Sequence, residues 1–441
     1  MFDVIVAGGG LAGVSAAVAA AREGASVCLI EKNPYLGGLA TGGLINPFMT
    51  HKTLDGKTKL VGGIFDEIKE RLAEYDGIMT NCFDSEAMKR VLSDMVREEN
   101  IDLFLEREIL KVGYEIPLHS FSKTFVIETT GGSFEGVYVI DATGEGFVAY
   151  SYGCEYEGGD KGNTQAVTLM FTMEDVDCEK AIKYCIDHPE DFLFPKYSKF
   201  AQPKTIMKQA WSLAGFYSVI EAHRDEAKWP GDLLFFISLP KEGCVTFNQT
   251  HTSIEDSTDP AQLEEAYNEC ERQVYSVVDF VKKYIPGFEN ASLLKIADLL
   301  GVRESRRIMG KYVFNGLDVA YSKKQEDCIC RLAYPVDVHK SSGEGYSKEE
   351  GEKSVPTPTK NDWYEIPYRS LQTQIPNLLV VGKCVSSTQE GHGAIRIMPA
   401  CIATGQAAGV ACGLSIKLGV NTDALSGKIV RETLRERGAI V

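Results

Sequence analysis

Gly8-Gly9-Gly10-Leu11-Ala12-Gly13 constrains this chain more than any other stretch, because of what brackets it. Before it runs an apolar segment, Phe2 to Ala7, that reads as a buried strand; after it comes an alanine-rich helix over Val14 to Glu23. Strand, glycine turn and helix in that order suit the diphosphate of a dinucleotide. Gly8 permits the tight turn, Gly10 lets backbone approach the phosphates, and Gly13 lets helix and strand pack without intervening side chains. Leu11 and Ala12, in the turn, lead to the start of that helix, whose free N–H groups and dipole favour an anion without any basic side chain. A second strand, Ala25 to Ile30, delivers Glu31, where an acid accepts hydrogen bonds from a ribose diol and repels a 2′-phosphate, which argues against NADP.

Lys32 to Gly43 then places two more glycine pairs, Gly37-Gly38 and Gly42-Gly43, immediately downstream. That arrangement resembles FAD enzymes of the glutathione reductase and fumarate reductase superfamily rather than NAD enzymes. The resemblance implies that Lys32, Gly38, Leu39, Ala40 and Thr41 carry backbone donors past the diphosphate toward the flavin. Relatives that link flavin covalently place a histidine in the segment corresponding to Ala40-Thr41-Gly42-Gly43. There is none here, so noncovalent FAD is expected.

A chain of 441 residues is long enough for two to three domains, and a charge of −16 argues against nucleic acid, whose phosphates need clustered Lys and Arg. The N-terminus starts on a core strand without a basic leader, so a cytoplasmic protein is expected. The twelve cysteines include no Cys-x-x-Cys pair, which fits reduced thiols and no metal or iron-sulfur site. Cys328-Ile329-Cys330 reads as strand or surface cysteines before it reads as a redox couple. The uncharged run Ile397 to Ile416 is rich in Ala and Gly and reads as a close-packed buried helix rather than a membrane span.

Helices are expected over Gly63–Tyr75 and Ser85–Glu99, the latter with Met88, Val91, Leu92, Met95 and Val96 on one face. Ile101–Val112 reads as one strand returning to the sheet, and Phe125–Ile140 as a hairpin turning at Gly131-Gly132. The hairpin ends in Asp141-Ala142-Thr143-Gly144, a second point of resemblance to the FAD superfamily; there Ala142, Thr143 and Gly144, with Ile109 of the returning strand, are grouped with the nucleotide. From Gly146 the texture becomes mixed, with strands at Gln165–Met173 and Leu233–Leu239 and a long helix over Leu263–Ile285. Lys340–Asn361 is too polar to pack and reads as a surface excursion. Asn377–Gly382 is a parallel-type strand. The expected architecture is α/β, a Rossmann-like FAD-binding domain (1–150 and 362–441) with a parallel sheet, helices and a β-meander, plus an inserted α+β substrate or cap domain (151–361).

Gly301-Val302-Arg303-Glu304-Ser305-Arg306-Arg307, Tyr364 to Arg369, and Ser386 to Arg396 continuing through Gly409 are similar to signatures of the single-chain bacterial FAD-dependent oxidoreductase family, and the similarity spans nearly the whole chain. It implies a contact of Gly382 with the cofactor. Relatives usually follow this glycine with an Asp that contacts the ribityl chain, but here Lys383 follows, so that role stops at Gly382. It also implies that Met398, Pro399 and Ala400 start a helix aimed at the flavin pyrimidine edge.

Flavin chemistry needs a proton carrier and a cation for anionic substrate groups. His392 is the first candidate acid or base. Arg396 is a candidate clamp for a carboxylate or for the flavin O2 side, against a salt bridge to Glu390 or to backbone carbonyls. Of Arg303, Arg306 and Arg307, most simply an ion-pair network with Glu304, Arg303 is the one expected to face the pocket. His51, His251 and His339 are weaker candidates. The expected function is hydride transfer between a small organic substrate and FAD, with a separate electron donor or acceptor as partner. Two directions stay open, reduction of an activated C=C bond or oxidation of an alcohol or amine. The alternatives are a flavoprotein electron carrier without its own carbon substrate, or a sulfide-transferring or RNA-modifying relative.

Overall fold

Val4, Ile5, Val6 and Ala7 are wholly buried because the strand Phe2–Ala7 runs through the middle of a seven-stranded sheet. The computed structural model describes residues 1–115, 124–158, 164–193, 202–342 and 355–441. Across the sheet the order is Asp102–Phe104, Val27–Ile30, Phe2–Ala7, Gly132–Asp141, Thr124–Thr129 and Ile109–Glu115. Leu378–Val380 pairs in parallel with the end of Gly132–Asp141, whose beginning pairs antiparallel with Thr124–Thr129. Register places Ala7 opposite both Ile30 and Asp141, and Val380 opposite Asp141. Four segments distant in sequence therefore leave the sheet at one edge: Gly8–Gly10, Glu31–Lys32, Ala142–Gly144 and Val381–Lys383. In an open parallel sheet, that carboxyl edge is where ligands bind.

Two helices hold the ends of the chain together. Leu11–Arg22 and Met398–Leu418 lie against each other through Gly405, Gly409 and Gly413, spaced every four residues. A Cβ on Gly405 would collide with the Ala12 carbonyl, and one on Gly409 with the Ala16 carbonyl, so the backbones approach as only glycine allows. Met398–Leu418 has the length and composition to cross a membrane, yet most of it is buried inside the fold, as its small residues suggested.

A second core surrounds a five-stranded antiparallel sheet of Ser212–Gly215, Leu234–Ser238, Val245–Phe247, Phe171–Glu174 and Ser292–Ile296. Helix Pro260–Tyr284 covers it with Ala266, Cys270, Val274, Val277, Phe280 and Val281. This core runs from Leu169 to Ala297, with Leu44 reaching in from the first. Phe314, Val319, Cys328–Ala333 and Val336, which the polar stretch had grouped with the insert up to 361, pack instead into the first core. The apolar face of strand Cys328–Leu332, paired with Tyr364–Pro367, carries them there.

Two strand expectations need correction. Ile101–Val112 is two strands: Asp102–Phe104 forms the parallel edge, and Ile109–Glu115 joins the hairpin side. The break lies at Glu106, whose left-handed backbone (φ 54°) turns the chain away, an event that apolar alternation does not announce. Of Gln165–Met173 only the end is regular, in the strand Phe171–Glu174; Val167 and Thr168 make single bridges to Thr252 and Gly301. The polar stretch at 340–361 falls largely outside the described residues. All twelve cysteines are free and all but Cys401 are buried; burial pushes the Cys328 thiol up to about 12.

Candidate active site

At the carboxyl edge the glycines divide by what surrounds them. Gly8 takes a left-handed backbone (φ +105°) under the Ala142 carbonyl, and a Cβ on Gly13 would overlap the Gly8 carbonyl. Both are needed for packing. A Cβ on Gly10, by contrast, would meet nothing within 4 Å, so its backbone borders open space. Gly10 starts the helix Leu11–Arg22 without a side-chain cap, and it bridges to Gly37 of the second glycine turn. Gly37 and Gly38 are both left-handed and lead into the short helical turn Gly38–Ala40. Thr41 is fully buried, its hydroxyl donating to the Leu36 carbonyl at 2.7 Å. Leu39 and Ala40 lie between them on the same turn.

Glu31 is 5% exposed, and its carboxylate locks the turn: Oε2 accepts from Gly9 N at 2.5 Å, and Oε1 accepts from Asn33 N and Nδ2 at 2.8 and 2.6 Å. Lys32 points outward to pair with Glu145 at 3.2 Å. Ile109 lies just beyond Arg107, whose N–H donates to the Glu31 carbonyl, and it packs against the small core under the hairpin. Ala142 N donates to the Ala7 carbonyl, and Thr143 caps buried Asp141 through its N–H and hydroxyl. Gly144 (φ +76°) closes the turn opposite the Lys383 side chain. Gly382 (φ +75°) passes close to Ala12, where a Cβ would come within 3.2 Å of the Ala12 Cβ. The closing helix begins at Met398, with Pro399 second and Ala400 third, again without a side-chain cap. Pro399 thus stands one position further in than expected, still within the first turn, where a missing N–H costs nothing.

A different kind of region adjoins that helix start. His392, on the short helix Gln389–Ile395, is 1% exposed, and among the described residues neither ring nitrogen finds a hydrogen-bond partner. Burial, then the fields of Arg396, Arg307 and Lys383, hold its pKa well below the ordinary value, so its imidazole is neutral. Arg396 pairs not with Glu390 but with Asp337, Nη2 lying 3.0 Å from Oδ2 and 3.1 Å from the Asp337 carbonyl, while its buried Nε has no partner among the described residues. Asp337 also reaches His339, Oδ1 to Nε2 at 3.4 Å, and His339 lies ring to ring with His251 at 5.9 Å. Burial first and the field of Arg303 second push the His251 pKa down to about 3 and the His339 pKa well down. Arg303 is 8% exposed and donates to the Ala166 carbonyl at 2.5 Å.

Of the other two arginines, Arg307 behaves as the ion-pair reading proposed and Arg306 does not. Arg307, buried, is paired with Glu304, which also accepts from Gln165 and Gln389. Arg306 lies over the Tyr150 ring, 4.2 Å from its centroid. His51 is apart from the cluster, packed against Phe65 with its Nε2 at 3.4 Å from Lys69 Nζ.

The family model for FAD dependent oxidoreductase matches residues 3–434. The chain belongs to that family. FAD is accordingly its cofactor, and the carboxyl edge fits a dinucleotide on three counts: open space at Gly10, two uncapped helix starts, and a buried carboxylate whose described partners are all N–H donors. The chain is also similar in structure to a geranylgeranyl bacteriochlorophyll reductase-like protein from Thermoplasma acidophilum, with 13% identity over 99% of this chain and 84% of that one, and a TM-score of 0.49. It is similar to CtdE in complex with FAD (12%, covering 99% and 89%, TM-score 0.45) and to aklavinone-11 hydroxylase with FAD and aklavinone (12%, covering 94% and 63%, TM-score 0.43). At that degree of likeness nothing about substrate passes from them to this family member.

Asp337 carried no signal in the sequence, and His251 and His339 were the weaker candidates there. Each is an isolated polar residue in its own stretch, and only the seam between the two cores brings them beside Arg303 and Arg396. The one signal in the sequence was Arg396 itself, a guanidinium next to a buried helix that needed a counter-charge.

Proposed function

We propose that this FAD-dependent oxidoreductase oxidises a small organic acid carrying an alcohol or amine, held in the cluster of Arg303, Arg396 and His392. Noncovalently bound FAD would supply the hydride acceptor. Arg303 and Arg396 bind and orient the carboxylate, the fork geometry of guanidinium suiting a planar anion. His392, neutral and unpartnered, accepts the proton from the hydroxyl or amino group at one of its ring nitrogens. The observation that carries this reading is a buried imidazole and, four residues on, a buried guanidinium Nε, both without a hydrogen-bond partner among the described residues. Held neutral, His392 is suited to take a proton rather than give one, which favours oxidation over reduction of a C=C bond. Anaerobic mixing of the yellow protein with a panel of hydroxy acids and amino acids, beside their neutral amides, tests it. Bleaching by acids and not by amides is expected. Bleaching by amides alone would remove the arginine clamp, and no bleaching by any compound would favour an electron carrier without its own carbon substrate.

A further inference from the structure

Lys383 takes no part in the chemistry proposed for His392, and its surroundings are unusual for a lysine. It follows left-handed Gly382 at the end of the last parallel strand, and its side chain crosses to Gly144, where a glycine Cβ would stand 3.2 Å from Cε. The ammonium donates to the Val302 carbonyl at 3.1 Å. Among the described residues no carboxylate lies within ion-pairing distance of it. Glu145, whose field reaches it, is paired with Lys32. Protein crowds the ammonium on all sides, which lowers its pKa, yet the residue keeps intermediate accessibility. The side chain keeps part of its surface accessible beside the turn Ala142–Gly144, on the same carboxyl edge of the sheet where Gly10 borders open space. An enclosed ammonium with one neutral acceptor calls for an anion.

We propose that Lys383 is a cofactor ligand, its ammonium serving as counter-charge to the FAD diphosphate. The placement supports the diphosphate over the flavin ring, because Gly382 lies against Ala12 at the start of the helix Leu11–Arg22, where backbone N–H groups already favour phosphate. A lysine suits that task as a point charge. The chain thus adds a side-chain cation to an edge otherwise built from backbone donors.

The inference rests on family membership and on FAD binding, not on the catalytic reading, so the two fail separately. The test uses full-length protein stripped of FAD, with ADP as a probe that carries a diphosphate and no flavin. Lys383→Met is expected to weaken both ADP and FAD binding by about tenfold or more, and Lys383→Arg to recover most of the loss. Circular dichroism of both variants reports whether the fold persists. Unchanged ADP affinity in folded Lys383→Met overturns the proposal, whether or not FAD affinity falls. Failure of Lys383→Arg to recover ADP binding while folded also overturns it, because charge would then not be the cause.

Discussion

The nucleotide edge and the histidine-arginine cluster are adjacent, yet they are made of different material. At the edge, glycines and helix starts present backbone donors, and one buried carboxylate accepts from the turn itself. In the cluster, side chains from four separate stretches of the chain meet in a seam between two cores: His251, Arg303, Asp337 with His339, and His392 with Arg396. Backbone sites tolerate little change in packing because the fold and the site are the same atoms. Side-chain sites are held by burial and can lose a member while the scaffold stands.

The sharpest way to break that contrast is Gly13→Val. Its Cβ overlaps the Gly8 carbonyl, so helix and strand must separate; a loss of about 3 kcal/mol or more and failure to retain FAD are expected together. A yellow variant with wild-type thermal stability would show that fold and cofactor site are not one structure. Next in size, His392→Ala should cut flavin reduction by substrate about a hundredfold or more while the protein stays folded and yellow; unchanged reduction at saturating substrate removes it from the chemistry. Asp337→Asn, which leaves Arg396 without its anion, should raise KM about tenfold with kcat less affected, and a fall in kcat alone would move Asp337 from positioning to the reaction.

The smallest effect sharpens the comparison through pH. His251, His339 and His392 have folded-state pKa values below the ordinary 6.5, so the unfolded chain binds their protons more readily. Stability from these groups is fully present above about pH 6.5 and declines as pH falls toward their folded values, by about 1.4 kcal/mol per pH unit for each histidine. Urea midpoints between pH 7.5 and 5 measure the slope, and His392→Ala should reduce it by one histidine's share. A flat profile would contradict neutral burial. The nucleotide edge contributes no histidine to this slope.

The edge was legible in the amino-acid order because its requirements are local. Strand, glycine turn, helix and Glu31 fall within the first 31 residues, and Ala142-Thr143-Gly144 ends its own strand. The helix stripes over Ser85–Glu98 and Pro260–Tyr284 were legible for the same reason, each burying side chains at its own period. Left-handed Glu106 was not legible there, since nothing in an acidic residue demands that conformation.

What the sequence by itself determined is therefore a dinucleotide turn, an acid after the second strand, and a small-residue helix able to lie close to another. Only the tertiary structure decided that Gly405 and Gly409 rest on Leu11–Arg22, that Arg396 chooses Asp337 over Glu390, and that Lys383 crosses to Gly144 and the Val302 carbonyl. Periodicity and turn chemistry act between neighbours along the chain. The counter-charge that a buried cation finds depends on which distant segment the two cores bring to its side.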